Sequence, residues 1–142
     1  MSILTERDAE AVRKEFQRIQ GPVKLVVFSQ ELVAAELCRQ NEQLVREVAS
    51  LDDRISVEVL NPAIDRERAE AYGIDEVPAT VVEGARDYGI RFLGIPSGYE
   101  FSNLIDSIIV ASSGETGLTE ATKTSLAGLT GDVTIKVFST PT

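Results

Sequence analysis

The sequence predicts an α/β protein whose mixed central sheet is flanked by helices. Three observations carry that expectation. Val23-Lys24-Leu25-Val26-Val27-Phe28 is a β-branched, nearly continuous apolar run of the kind that fills a strand covered on both faces. A long stretch without Gly or Pro follows it directly, and further on two β-rich runs are joined by a Gly-containing turn. With 142 residues, 43% of them apolar and 26% charged, one hydrophobic core is the default and the chain should fold.

Taken in order, Thr5-Glu6-Arg7-Asp8 reads as a capping box ahead of Ala9, Val12, Phe16 and Ile19 at helical spacing, which predicts a helix over about 5–19. Gly21-Pro22 stops it and the apolar strand begins. From Glu31 to Leu51 the chain reads as one long helix, with Leu37, Leu44, Val48 and Leu51 on one stripe. After the turn at Asp52-Asp53, Ile55, Val57 and Val59 alternate with Ser56 and Glu58, the period of a strand, so the three elements make a βαβ unit. Ile64 to Tyr72 reads as a short charged helix closed by Gly73. Ala79-Thr80-Val81-Val82 and Ile90-Arg91-Phe92-Leu93, with Gly84 and Gly89 between them, predict an antiparallel hairpin. Ser97-Gly98-Tyr99-Glu100 reads as a second capping box, opening a helix whose apolar face is Phe101, Leu104, Ile105, Ile108 and Ile109 and which ends at Gly114.

Composition removes whole classes of function. Fourteen Lys and Arg against 23 Asp and Glu leave a charge of −9, which repels phosphate backbones and anionic lipid, so neither nucleic acid nor membrane is an expected partner. The absence of histidine excludes Ser-His-Asp and Cys-His catalysis and most zinc sites, and no metal is expected. A lone cysteine, Cys38, forms no internal disulfide, Met1-Ser2-Ile3-Leu4 leads into charged residues rather than an apolar signal core, and no apolar window is long enough to span a bilayer; a cytoplasmic, reducing location is expected. Gly84, Gly89, Gly94 and Gly98 are spaced as turns and caps, not as a phosphate cradle, so no cofactor is expected. The carboxylates of Asp52-Asp53 and of Asp65 to Glu70 read as a solvated face.

Beyond Gly114 the opening pattern returns. Leu4-Thr5-Glu6 recurs as Leu118-Thr119-Glu120, and the strand run with Ser29 recurs as Val133-Thr134-Ile135-Lys136-Val137-Phe138-Ser139, with an intervening helix about one turn shorter. The expected organisation is one unit over 1–114 and, over 115–142, the helix and strand that begin a second. The second copy stops where the first enters its long helix, so the chain is expected to be the front part of a longer protein; the alternative is a complete chain whose last helix and strand pack onto the first unit.

This order, together with Val77-Pro78-Ala79-Thr80, the segment from Phe92 through Gly94-Ile95-Pro96-Ser97-Gly98-Tyr99-Glu100 to Phe101, and the tandem repeat, resembles the two-unit protein disulfide oxidoreductases, glutaredoxin-like proteins with a thioredoxin-like fold. It is similar also to the paired thioredoxin-like units at the N-terminus of the alkyl hydroperoxide reductase flavoprotein, the first of which lacks its cysteine pair. Such families carry Cys-x-x-Cys on the first turn of the long helix, where the helix N-terminus lowers the pKa of the leading thiol. Here Ala35-Glu36-Leu37-Cys38 stands in that place, with Cys38 in the second position and Ala35 where the attacking thiolate would be. The resemblance further implies that Thr140-Pro141-Thr142 leads toward a second unit's motif, and that Pro78 is a cis proline whose neighbours Val77 and Ala79 line a groove for an extended peptide.

The resulting expectation is a redox-inactive unit of a disulfide oxidoreductase, serving in packing or substrate docking for exchange carried out by a second unit. Its partners would be that unit or a protein substrate. The rivals are a monothiol oxidoreductase in which Cys38 forms a mixed disulfide with glutathione or a protein, and a stand-alone interaction module. Against the monothiol, Cys38 also reads as a half-buried helix residue that behaves as a small hydrophobe, because no Lys, Arg or His precedes it in the helix to lower its pKa. Ser97 and Glu100 are explained by capping rather than catalysis.

Overall fold

The computed structural model describes residues 1–140. Its elements are α1 (Glu6–Phe16), β1 (Val23–Phe28), α2 (Ala35–Ala49), β2 (Ile55–Leu60), α3 (Arg66–Tyr72), β3 (Ala79–Glu83), β4 (Asp87–Leu93), α4 (Tyr99–Ser113) and α5 (Glu120–Ala127). The sheet has the order β2-β1-β3-β4, with β1 parallel to β2 and antiparallel to β3, and β3 antiparallel to β4.

Alternation along β1 explains the layers. Leu25 and Val27 face a core shared with Val12 and Phe16 of α1, Leu44, Val45 and Val48 of α2, and Leu104 and Ile108 of α4. Val26 and Phe28 face the other way, into a smaller core with Leu60, Ala69 of α3, Ile74 and Val81. A strand that fills both cores has no polar face to spare, which is why its sequence reads as an unbroken apolar run. The lower half of the second face lies beyond α3 and is closed by charge: Lys24 reaches Glu58 and Glu83, Arg68 pairs with Glu58, and Tyr72 donates to Glu83 at 2.7 Å.

Several expected boundaries shift. The Thr5 and Asp8 capping box forms, but α1 ends at Phe16 and Ile19 is buried in the turn after it. The long helix begins at Ala35, not Glu31, because Ala34 sits in the left-handed region (φ 50°) and breaks the helical run. Its buried stripe is Cys38, Asn41, Leu44, Val45 and Val48; Leu37, in the first turn, is half exposed and leaves the stripe expected for it. The second capping box is absent: α4 starts one residue later than a cap at Ser97 requires, Gly98 (φ 60°) holds the N-cap position, and no side chain caps the helix. Gly73 and Gly114 close α3 and α4 in left-handed conformations as expected.

Past Gly114, Thr119 caps α5 by accepting from the Thr122 N–H, yet no residue of α5 is buried. Residues 133–139 form no strand and pair with no strand among the described residues, and Val133, Ile135, Val137 and Phe138 are exposed. Pro141 and Thr142, in the segment read as a lead toward a further motif, lie outside the described residues.

Candidate functional site

Because β1, β2 and β4 all run in one direction, their C-terminal ends gather at one end of the sheet with the N-terminal end of β3. The loop into α2, the loop into α3, the approach to β3 and the start of α4 therefore meet there. This end holds Ala35, Cys38, Val77, Pro78 and Ala79.

The Val77–Pro78 peptide bond is cis. Pro78 is buried, and its carbonyl accepts a hydrogen bond from the Gly94 N–H at 2.8 Å. Ala79 is wholly buried in the smaller core opposite Phe28, whereas Val77 packs against that core and keeps one side in solvent. Of the three expected groove residues, only Val77 is partly exposed.

Cys38 lies one turn into α2 and is 1% exposed. Its backbone N–H donates to the Ala34 carbonyl, and its thiol donates to the Val33 carbonyl at 3.7 Å. The sulfur is enclosed by the fold. Ala35 is the first residue of α2. Arg39 turns away and pairs with Glu36 at 2.8 Å.

One polar pair at this site was not read from the sequence. Asn41, fully buried one turn beyond Cys38, donates through Nδ2 to Thr80 Oγ1 at 3.1 Å, tying α2 to β3 two residues past Pro78. The Asn41 Oδ1 has no partner. Its signal was phase: Asn41 falls on the same helical stripe as Leu44, Val45 and Val48, where a polar side chain must be buried.

Two concavities open beside α4. One of about 650 Å³ lies between the N-terminal segment, α2 and α4, with an apolar floor from Leu4, Leu44, Ile95 and Phe101 and polar walls from Gln40 and Gln43. Its outer wall, the strap of residues 1–4, is held by Glu47, whose carboxylate accepts from Ser2 Oγ (2.8 Å) and from the N–H groups of Ile3 and Leu4 (2.9 Å each). Burial pushes that carboxyl up, but the hydrogen bonds from Leu4, Ile3, Gln43 and Ser2 outweigh it and hold the pKa down at about 2. The other, about 820 Å³, brings Ser139 and Thr140 against Ile95, Ser97, Gly98, Tyr99 and Glu100. Among the described residues no group of three His, Cys, Asp or Glu is arranged to hold a metal ion, and no helix is long and apolar enough to cross a membrane.

A four-stranded mixed sheet in this order, helices on both faces and a cis proline opening the third strand define a thioredoxin-fold protein. Comparison with known proteins agrees. The chain superposes on the alkylhydroperoxide reductase protein AhpF of Enterococcus faecalis with a TM-score of 0.80 and 25% identity, covering 89% of this chain and 61% of that one. It superposes on a protein disulfide oxidoreductase of Aeropyrum pernix with a TM-score of 0.78 and 24% identity, over 92% of this chain and 57% of the other. A probable thioredoxin of Methanothermobacter thermautotrophicus is 39% identical over 54 residues, which are 38% of this chain and 59% of that protein. The chain thus spans about 60% of the length of the proteins it matches. No protein-family profile matches it. The chain has a thioredoxin-like fold, similar to those of the two proteins it superposes on.

Proposed function

We propose that residues 1–114 are a redox-inactive unit of a glutaredoxin-like protein disulfide oxidoreductase, serving in packing or substrate docking for thiol–disulfide exchange performed by a second unit that begins at residue 115. Exchange by a dithiol needs one thiolate to attack a disulfide and a second thiol to resolve the mixed disulfide. This unit has Ala35 in the attacking position and a single sulfur shut inside the fold. That pairing, Ala35 with a 1%-exposed Cys38, carries the reading. The sheet end around Pro78 keeps the form of a docking site while lacking the groups that react. A cytoplasmic setting belongs to the same reading, on the strength of the lone cysteine.

The test is reduction of a protein disulfide, such as that of insulin, by the purified 142-residue chain with a dithiol regenerating system. The expected rate is that of the uncatalysed background. Turnover at a rate typical of a dithiol oxidoreductase would overturn the proposal, and loss of any glutathione-dependent activity in Cys38→Ser would move the assignment to a monothiol enzyme.

A further inference from the structure

We propose that the sheet end carrying Pro78 docks a polypeptide segment in which apolar side chains alternate with lysine or arginine. This rests on the docking reading above and names what is docked. Five large apolar residues stand exposed at that end, on the connections and first helical turns that follow three different strands: Leu32 (95%), Val33 and Leu37 after β1, Ile64 (80%) after β2, and Tyr99 (80%) after β4. Scattered exposed apolar residues need no explanation, but five gathered at one end of a sheet, across its whole width, mark an interaction surface.

The charges around them choose the partner. Glu31, Asp75, Glu76 and Glu100 are exposed at the same end, and none of their carboxylates has an ion-pair partner among the described residues. Arg39 is committed to Glu36, and Arg66 is the one unpaired cation on these connections among the described residues. An apolar ledge rimmed by free carboxylates complements a cationic, apolar chain and repels an acidic one. Four strands span roughly 14 Å, at about 4.8 Å between neighbours. Four or five extended residues cross that distance, at about 3.3 Å each. A segment with two or three apolar side chains therefore reaches the ledge from one edge of the sheet to the other.

The experiment measures fluorescence anisotropy of a labelled peptide with three leucines separated by lysines, titrated with the 142-residue chain. Two matched peptides replace the lysines by glutamate or the leucines by serine. The expected result is saturable binding of the Leu/Lys peptide alone, weakened about tenfold or more by Leu32→Asp. Its affinity should also fall as salt rises from about 50 to about 300 mM. Leu32 is exposed, so the variant should fold, and circular dichroism verifies that. Equal binding of the Leu/Glu peptide overturns the charge selectivity while leaving a docking unit. Unchanged binding by Leu32→Asp overturns the location. Failure of all three peptides to bind overturns the docking role itself and leaves packing.

Discussion

Val23–Phe28 and Val133–Phe138 are similar apolar runs, and their surroundings differ. In the first copy Val23, Leu25, Val27 and Phe28 are between 0 and 2% exposed, held between β2 and β3. In the second, Val133, Ile135, Val137 and Phe138 are between 65 and 89% exposed. An apolar alternating run is a demand for neighbours, and burial follows only where the chain supplies them on both sides. The helices before the two runs repeat the contrast: α1 buries Ala9, Val12 and Phe16, whereas α5 buries nothing.

The largest test of that contrast is a matched pair of truncations. Leu25→Ala empties a wholly buried site and should cost about 2–5 kcal/mol. In urea denaturation this appears as a lower midpoint with an unchanged slope. Ile135→Ala, at the equivalent place, should change stability by less than about 0.5 kcal/mol, because its side chain is already in water. A cost at Ile135 comparable to that at Leu25 would break the comparison, since the second strand would then have partners.

The helix caps sharpen it at smaller scale. Thr5 and Thr119 each accept from a backbone N–H three residues on, at 3.2 Å in both helices, so this bond is matched, although only Thr5 has the reciprocal bond to Asp8. Thr5→Ala should lower the global stability by about 1 kcal/mol, because α1 unfolds with the core. Thr119→Ala should leave the global transition in place and only speed amide exchange within α5, as expected where the helix unfolds locally.

This division also explains what could be read in the sequence. Element identity was legible wherever one residue type has one physical use: the Thr5 cap, the Gly73 and Gly114 stops, the β1 run, the hairpin. The start of α2 was not, because Ala34 gives no sign of a left-handed backbone and the apolar Leu32 and Val33 extend the helical pattern into a loop. The expected capping box at Ser97 failed by one residue, for the short motif fits two registers and the Gly98 conformation selects the other. At the candidate site, Cys38, Ala35 and Pro78 were visible through resemblance, and Cys38 read as a half-buried small hydrophobe. Its nearly complete enclosure, with the thiol on the Val33 carbonyl, was not legible, because it depends on the conformation of the loop before α2.

The N-terminal strap offers a pH-dependent test. Leu4-Thr5 and Leu118-Thr119 share a pattern, but Leu4 is tied to Glu47, while the Leu118 N–H finds only Thr116 Oγ1 at 3.3 Å. The Glu47 carboxyl titrates near 2 in the folded chain, against an ordinary 4.5. A depressed folded value means stability present above about pH 4.5 and lost as the pH falls toward 2. Glu47→Gln should remove that part of the acid dependence and release the strap, seen as faster exchange of the Ile3 and Leu4 amides at neutral pH. No corresponding acid-sensitive protection is expected at Leu118.

The smallest expected effect lies inside the core, at a buried side-chain acceptor with no hydrogen-bond partner among the described residues. Asn41 Oδ1 is buried without a partner, and an orphaned acceptor costs stability that an apolar side chain of similar shape does not. Asn41→Leu alone leaves Thr80 Oγ1 without its donor, so one penalty replaces another and the net change should be slight. Adding Thr80→Val removes both polar groups, and the double variant should be neutral or more stable by about 1 kcal/mol. A double-mutant cycle in urea separates the pair from its surroundings. If the double variant is instead destabilised by several kcal/mol, the amide has a donor that settles it, and the first unit is as fully satisfied inside as the exposed second strand is in water.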